Sequence, residues 1–292
     1  MRPLTALKGE IVPPPRSGRY GAIVILAAGA FFTALPLLGR LASPPDLSTL
    51  TMLGAPWMGY AVLVLAAALV AAAFLAKDAS AKALTVMAAV FVASIAAAPL
   101  IGRFVRPTTF TVIYMVAPVV FIAIVLAVPE LKPAFGWLRA GRFDWRLALG
   151  AAVLAAISVA VTVVYVMTLK PDLTHQPLIA THRLGLPALL LVGVGIAALN
   201  AAVEEAIYRG ILMNALDAAL GAGWLPVLLQ ALAFGAFHFN STEPAVAGVL
   251  LTALLGLVLG TLRRLGRGMA ANYLLHLVVD IGVWTLGVAQ LR

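Results

Sequence analysis

Five ionisable residues lie inside long runs of alanine, leucine and valine: Glu204, Glu205, Asp280, His238 and His276. The chain has 11 acidic residues, and the remaining ones fall in loops, tails or the ends of apolar runs. A charged group at membrane depth is costly, and it tends to face a bundle interior or a water-filled cavity. Three kinds of chemistry use carboxylates and imidazoles in such a place. A glutamate can act as general base on a water. Glu204, His238 and His276 could furnish three ligands to zinc. Buried acids and histidines can also relay protons in a transporter. A structural pair gluing helices together is the bland alternative.

Spacing assigns faces to these residues. Glu205 and Arg209 are four apart on one helix, which allows an ion pair within the span. Glu204 is turned about 100° away and is left to point elsewhere. Asn200 lies one turn before Glu204 on its face. His276 and Asp280 are likewise four apart, with Asn272 one turn earlier. The spacing therefore suits a carboxylate that orients the imidazole. Asn200 and Asn272 are read as partners in hydrogen bonds between helices.

These residues need elements to position them, and the composition says which. Of the 292 residues, 63% are hydrophobic and 11% charged, whereas a soluble domain carries about a quarter charged. Apolar stretches long enough for bilayer helices run near 21–39, 57–76, 83–101, 108–128, 147–169, 186–216, 224–239, 244–262 and 269–289. The expected fold is all-α, a polytopic transmembrane helical bundle of eight or nine spans. Pro118 would kink the fourth span. Residues 1–20 read as a proline-rich basic tail, 21–185 as spans with almost nothing ionisable inside, and 186–292 as the segment that carries the chemistry. At 1.5 Å per residue, the buried groups of three late helices fall roughly 12 to 22 Å in from one membrane face.

The net charge of +9 comes from short basic clusters between apolar runs. That is a topology signal, not a nucleic-acid face. With a cytoplasmic N-terminus and nine spans, 14 of the 20 basic residues lie inside. The expected location is the plasma or inner membrane, with lipid as a partner. Arg263, Arg264 and Arg267 read as an anchor near lipid headgroups. Trp57, Trp137, Trp145, Trp224 and Trp284 mostly fall near span ends, as interfacial tryptophans do. The absence of cysteine excludes thiolate zinc sites and cysteine nucleophiles.

The motifs form a recognisable series. Glu204-Glu205-Ala-Ile-Tyr-Arg209 fits Glu-Glu-x-x-x-Arg, Phe234-Gly-Ala-Phe-His238 fits Phe-x-x-x-His, and His276-Leu-Val-Val-Asp280 fits His-x-x-x-Asn/Asp. In this order, over about residues 197–284, they resemble the CPBP family, the CAAX proteases and bacteriocin-processing enzymes also called Abi. The resemblance implies an intramembrane glutamate-type endopeptidase acting on a peptide or membrane-protein substrate. Glu204 and His238 would activate water, and His276 with residue 280 would stabilise the oxyanion. Arg209 would be structural, with Glu205 and Phe234 supporting the site. Asparagine is commoner at the last position. An ionised Asp280 cannot donate to an oxyanion, so it either stays protonated or orients His276, and its spacing favours the latter.

Other readings use the same residues. A non-catalytic scaffold or immunity protein could retain this fold. Against zinc, there is no His-Glu-x-x-His run, and the two histidines are 38 residues apart, so no cofactor is expected. A transporter lacks support from any inverted repeat. The alanine-rich composition and short loops suggest a bacterial protein, with a peptide or membrane-protein precursor as substrate.

Overall fold

The computed structural model describes residues 14–42, 56–101, 115–171, 173, 185–240 and 245–290. The fold is all-helical, with no strand among the described residues. Among the described residues ten α-helices follow one another: α1 (Arg19–Ala42), α2 (Pro56–Ala76), α3 (Ala79–Ile101), α4 (Ala117–Ala127), α5 (Trp145–Leu169), α6 (Leu186–Glu204), α7 (Met213–Leu220), α8 (Trp224–Phe237), α9 (Ala245–Gly266) and α10 (Ala270–Gln290). A π-helical stretch, Glu205–Leu212, joins α6 to α7 without a break, and a 3-10 turn, His238–Asn240, ends α8.

Six of the described helical stretches are long and apolar enough to cross a bilayer, or seven if one bent pair counts as a span. The expectation of eight or nine is not confirmed among the described residues, where the α2 run counts only from Tyr60 to Ala76. The apolar run ending in His238 yields a helix of only 14 residues before it tightens. The run around 108–128 contributes α4, then a 3-10 segment, Pro129–Phe135, bent away by 112°. Pro118 falls in the first turn of α4, directly after two π-helical residues, 115–116. The N-terminal tail up to residue 13 and the two other histidines, His175 and His182, lie outside the described residues.

α10 is the spine of the C-terminal half, packed against α5, α6 and α9, while α8 lies along α9 and is covered by α1. α5 begins at Asp144, whose side chain accepts a bond from the Leu147 N–H at 3.0 Å. Its Leu149, Val153, Ile157 and Val161 form an exposed stripe at four-residue spacing, the mark of a helix facing lipid. Arg142, Met269 and Ala270 donate backbone bonds that tie the 139–142 segment to the turn between α9 and α10.

α8 and α9 approach closely because Gly256 lets them: a Cβ there would stand 2.9 Å from the Ala231 Cα. Gln230, fully buried, then bridges the pair, donating to Gly256 O at 2.8 Å and to Val227 O at 2.9 Å. The Gly256-x-x-x-Gly260 pattern thus serves packing within the bundle. Tryptophans divide two ways. Trp145 and Trp224 are largely exposed, as interfacial residues are, but Trp137 and Trp284 are buried. Trp284 donates to Leu189 O at 3.1 Å and fills the space that Gly193 leaves, which locks α10 to α6.

Arg263 and Arg264 also depart from the lipid-anchor expectation. Both turn to the buried Asp217: Arg263 Nη1 stands 3.5 Å from its carboxylate, and Arg264 grips it with two nitrogens. A carboxylate buried in a bundle is a stronger attraction than a solvated headgroup.

Gly256→Val should lower the stability of the purified protein by about 1–3 kcal/mol, because the added side chain forces the two backbones apart. Gly150→Val on the lipid-facing α5, where a Cβ meets nothing within 4 Å, should leave it unchanged. Thermal or denaturant unfolding in one detergent checks both.

Candidate functional site

Three elements deliver the site. The end of α6 and the start of the π stretch supply Glu204 and Glu205, the end of α8 supplies Phe234 and His238, and α10 supplies Asn272, His276 and Asp280. π-helical turns inside α-helices are frequent at functional sites, because they rotate the side chains that follow. Here the stretch still lets Glu205 and Arg209 meet, as their spacing predicts: Arg209 Nη1 donates to Glu205 Oε1 at 2.8 Å.

Glu205 is the hub. The same Oε1 lies 2.8 Å from His276 Nδ1, and Oε2 accepts a bond from Asn272 Nδ2. Arg209 and Asn272 approach with N–H groups, so the carboxylate accepts from both and His276 Nδ1 carries the proton toward it. Asn272 and Arg209 are fully buried, and Glu205 and His276 are 2% exposed, so this network lies away from the protein surface. The sequence pointed to Asp280 as the group orienting His276, but Glu205 reaches the ring first, from another helix.

The other nitrogen of His276 faces two carboxyls. Glu204 Oε2 is 3.4 Å from Nε2, and Asp280 Oδ1 is 3.5 Å from it. Asn200 Nδ2 donates to Asp280 Oδ2 at 3.0 Å, so Asn200 does link α6 to α10. Glu204 Oε1 stands 4.0 Å from His238 Nε2, a gap that one water can bridge with two bonds of about 2.8 Å. His238 Nδ1 lies 2.8 Å from Phe234 O, and a carbonyl can only accept, so Nδ1 donates and Nε2 is turned toward Glu204. The His238 and Asp280 side chains are 19% and 18% exposed, which makes them the open side of an otherwise closed cluster.

Phe234 is the wedge that spaces these groups. Its ring lies edge-to-face with His238 at 4.7 Å and with His276 at 5.7 Å, and the Arg209 guanidinium stands 4.3 Å above it. All nine residues singled out in the sequence therefore belong to one connected cluster. Sequence reasoning missed Tyr208, buried 5.0 Å from Phe234, which lies four residues after Glu204 and so on its face. It also missed Trp137, whose ring covers Gly210 in the π stretch, a contact between distant segments with no local signal. Among the described residues, no group of three or more histidine, aspartate or glutamate side chains is arranged to hold a metal ion.

Arg209→Met should destabilise the protein by about 3–5 kcal/mol, because it leaves the Glu205 charge buried without its guanidinium. Adding Glu205→Gln to that variant should restore a large part of the loss. Unfolding of the two variants beside the wild type measures this.

Comparison with known proteins found a match over this part of the chain. No curated protein and no solved structure matches. Residues 186–282 match the family model described as Type II CAAX prenyl endopeptidase Rce1-like. That segment holds Glu204, Glu205, Arg209, His238, His276 and Asp280, and the family supports a membrane endopeptidase function in general. The chain is a multi-pass membrane protein whose residues 186–282 match the Rce1-like CAAX protease model, consistent with the CPBP family.

Proposed function

We propose that this chain is an intramembrane glutamate-type endopeptidase, in which Glu204 and His238 activate a water that hydrolyses a peptide bond. The observation that carries the reading is the double position of Glu204. One oxygen is 4.0 Å from His238 and the other is 3.4 Å from His276, inside a cluster in which Glu205 holds Arg209, Asn272 and His276. A base held near its water, with fixed donors beside it in a water-poor setting, is what acyl hydrolysis requires.

In this mechanism the water between Glu204 and His238 attacks the scissile carbonyl and gives its proton to Glu204. The carbon–oxygen bond forms as the carbonyl oxygen becomes an oxyanion. His276, fixed by Glu205, faces that oxyanion and donates to it from Nε2 when the ring carries both protons, with Asp280 alongside. The carbon–nitrogen bond then breaks, and Glu204 passes its proton to the departing amine. The chemistry is performed by side chains, without a nucleophilic serine or cysteine and without zinc. The substrate is a membrane-associated peptide or protein precursor, cut in a plasma or inner membrane where the N-terminus of the enzyme is cytoplasmic.

Glu204→Gln, of nearly equal volume, should reduce cleavage by about 10²–10⁴-fold, the usual contribution of a positioned base. Proteomic comparison of membranes holding wild type and this variant should reveal a precursor that accumulates uncut. A variant that processes everything the wild type does would end the hydrolase reading. Purified active protein should contain no stoichiometric zinc and keep its activity after dialysis against a chelator; a tight, one-to-one zinc signal lost together with activity would replace this mechanism with a metal-dependent one.

A further inference from the structure

Behind the cluster, polar atoms are buried without partners. Arg209 Nε and Nη2, Asn272 Oδ1, and Arg263 Nε and Nη2 have no hydrogen-bond partner among the described residues. Arg209 and Asn272 are fully buried, and Arg263 is 3% exposed. Each buried polar group left unsatisfied costs about 1–3 kcal/mol, and native proteins meet that need with ordered internal water.

These atoms are not scattered. Arg209 and Asn272 hold opposite oxygens of Glu205. Arg263 reaches across from α9 with Nη1 3.5 Å from Asp217, and it lies within the field of Glu205 as well as of Asp217. Glu205, Arg209, Met213 and Asp217 follow at four-residue intervals along the α6–π–α7 rod, so they form one stripe about 18 Å long. At its far end Arg264, 23% exposed, grips Asp217 and donates to Gly223 O at 3.2 Å, which brings the stripe to the end of the bundle.

We infer that this stripe is a water-bearing seam between α7, α9 and α10, joining the Asp217–Arg264 end of the bundle to Glu205. The atoms needing partners are guanidinium donors and an amide acceptor, with two carboxylates in the same wall. Water both donates and accepts and so satisfies that mixture. A bound anion would face Asn272 Oδ1 and the Glu205 and Asp217 oxygens. The seam gives the buried network a route to bulk solvent that does not pass between His238 and Asp280, and it stands whether or not the cluster is a peptidase.

Radiolytic hydroxyl labelling of the full chain in detergent or nanodiscs reads the seam directly, because radicals formed on trapped water oxidise the side chains beside it. Met213, fully buried on the stripe, is the reporter, and Met87, 1% exposed in the apolar packing of α3, is the control. Met213 should be oxidised several-fold faster than Met87. Arg263→Leu leaves Asp217 its bidentate Arg264 and replaces the wet wall with an apolar one, so it should bring the Met213 rate down toward that of Met87. Arg263→Lys, which keeps a charged donor, should retain most of the labelling should the leucine variant prove hard to fold. Equal oxidation of Met213 and Met87 in the wild type overturns the seam, as does labelling of Met213 that is unchanged in folded Arg263→Leu.

Discussion

A single buried carboxylate organises the C-terminal half of this protein. Glu205 accepts from Arg209 on its own helical rod and meets Asn272 and His276 from α10. A charge placed at this depth is tolerable only if its oxygens are filled by well-aligned donors. Meeting that demand fixes much else. It holds α10 against the π stretch at one register, it sets the ring of His276, and it leaves the neighbouring Glu204 as the acid turned toward the histidines. The two adjacent glutamates thus have different work because a helix points them about 100° apart.

The surrounding packing protects that arrangement. Phe234 sits between two imidazoles and beneath the Arg209 guanidinium, so the cationic and aromatic groups space one another. Trp284 and Gln230 do for the helix pairs α6–α10 and α8–α9 what Phe234 does for the side chains: each fills a space that a glycine opens and makes a hydrogen bond across it. The early helices contribute a largely apolar core against α7 and the π stretch, including Phe32, Phe91 and Leu212. The clustered ionisable residues and the family match both fall after residue 185.

How much of this was legible in the sequence depended on whether a contact is local. The Glu205–Arg209 pair could be read from spacing, because four residues on a helix is a contact. His276 and Asp280 also came together, but spacing says nothing about which ring nitrogen a neighbour meets. Glu205 reached Nδ1 from another helix, and Asp280 was left to face Nε2. Hydropathy marked each apolar run but not how far its helix continues, so α8, a helix of 14 residues, reads from sequence as a full span. Arg263 and Arg264 looked like a lipid anchor because their partner, Asp217, lies 46 and 47 positions earlier in the chain.

The central claim is that Glu205 holds His276 by its Nδ1–H and so turns Nε2 toward Glu204. Nitrogen-15 NMR of the histidine-labelled protein, with the His276 resonances assigned by their loss in His276→Gln, tests it most directly. The account predicts a protonated, hydrogen-bonded Nδ1 in the wild type, and a changed Nδ1 signal in Glu205→Gln. A His276 ring whose Nδ1 carries no proton in the wild type would contradict it.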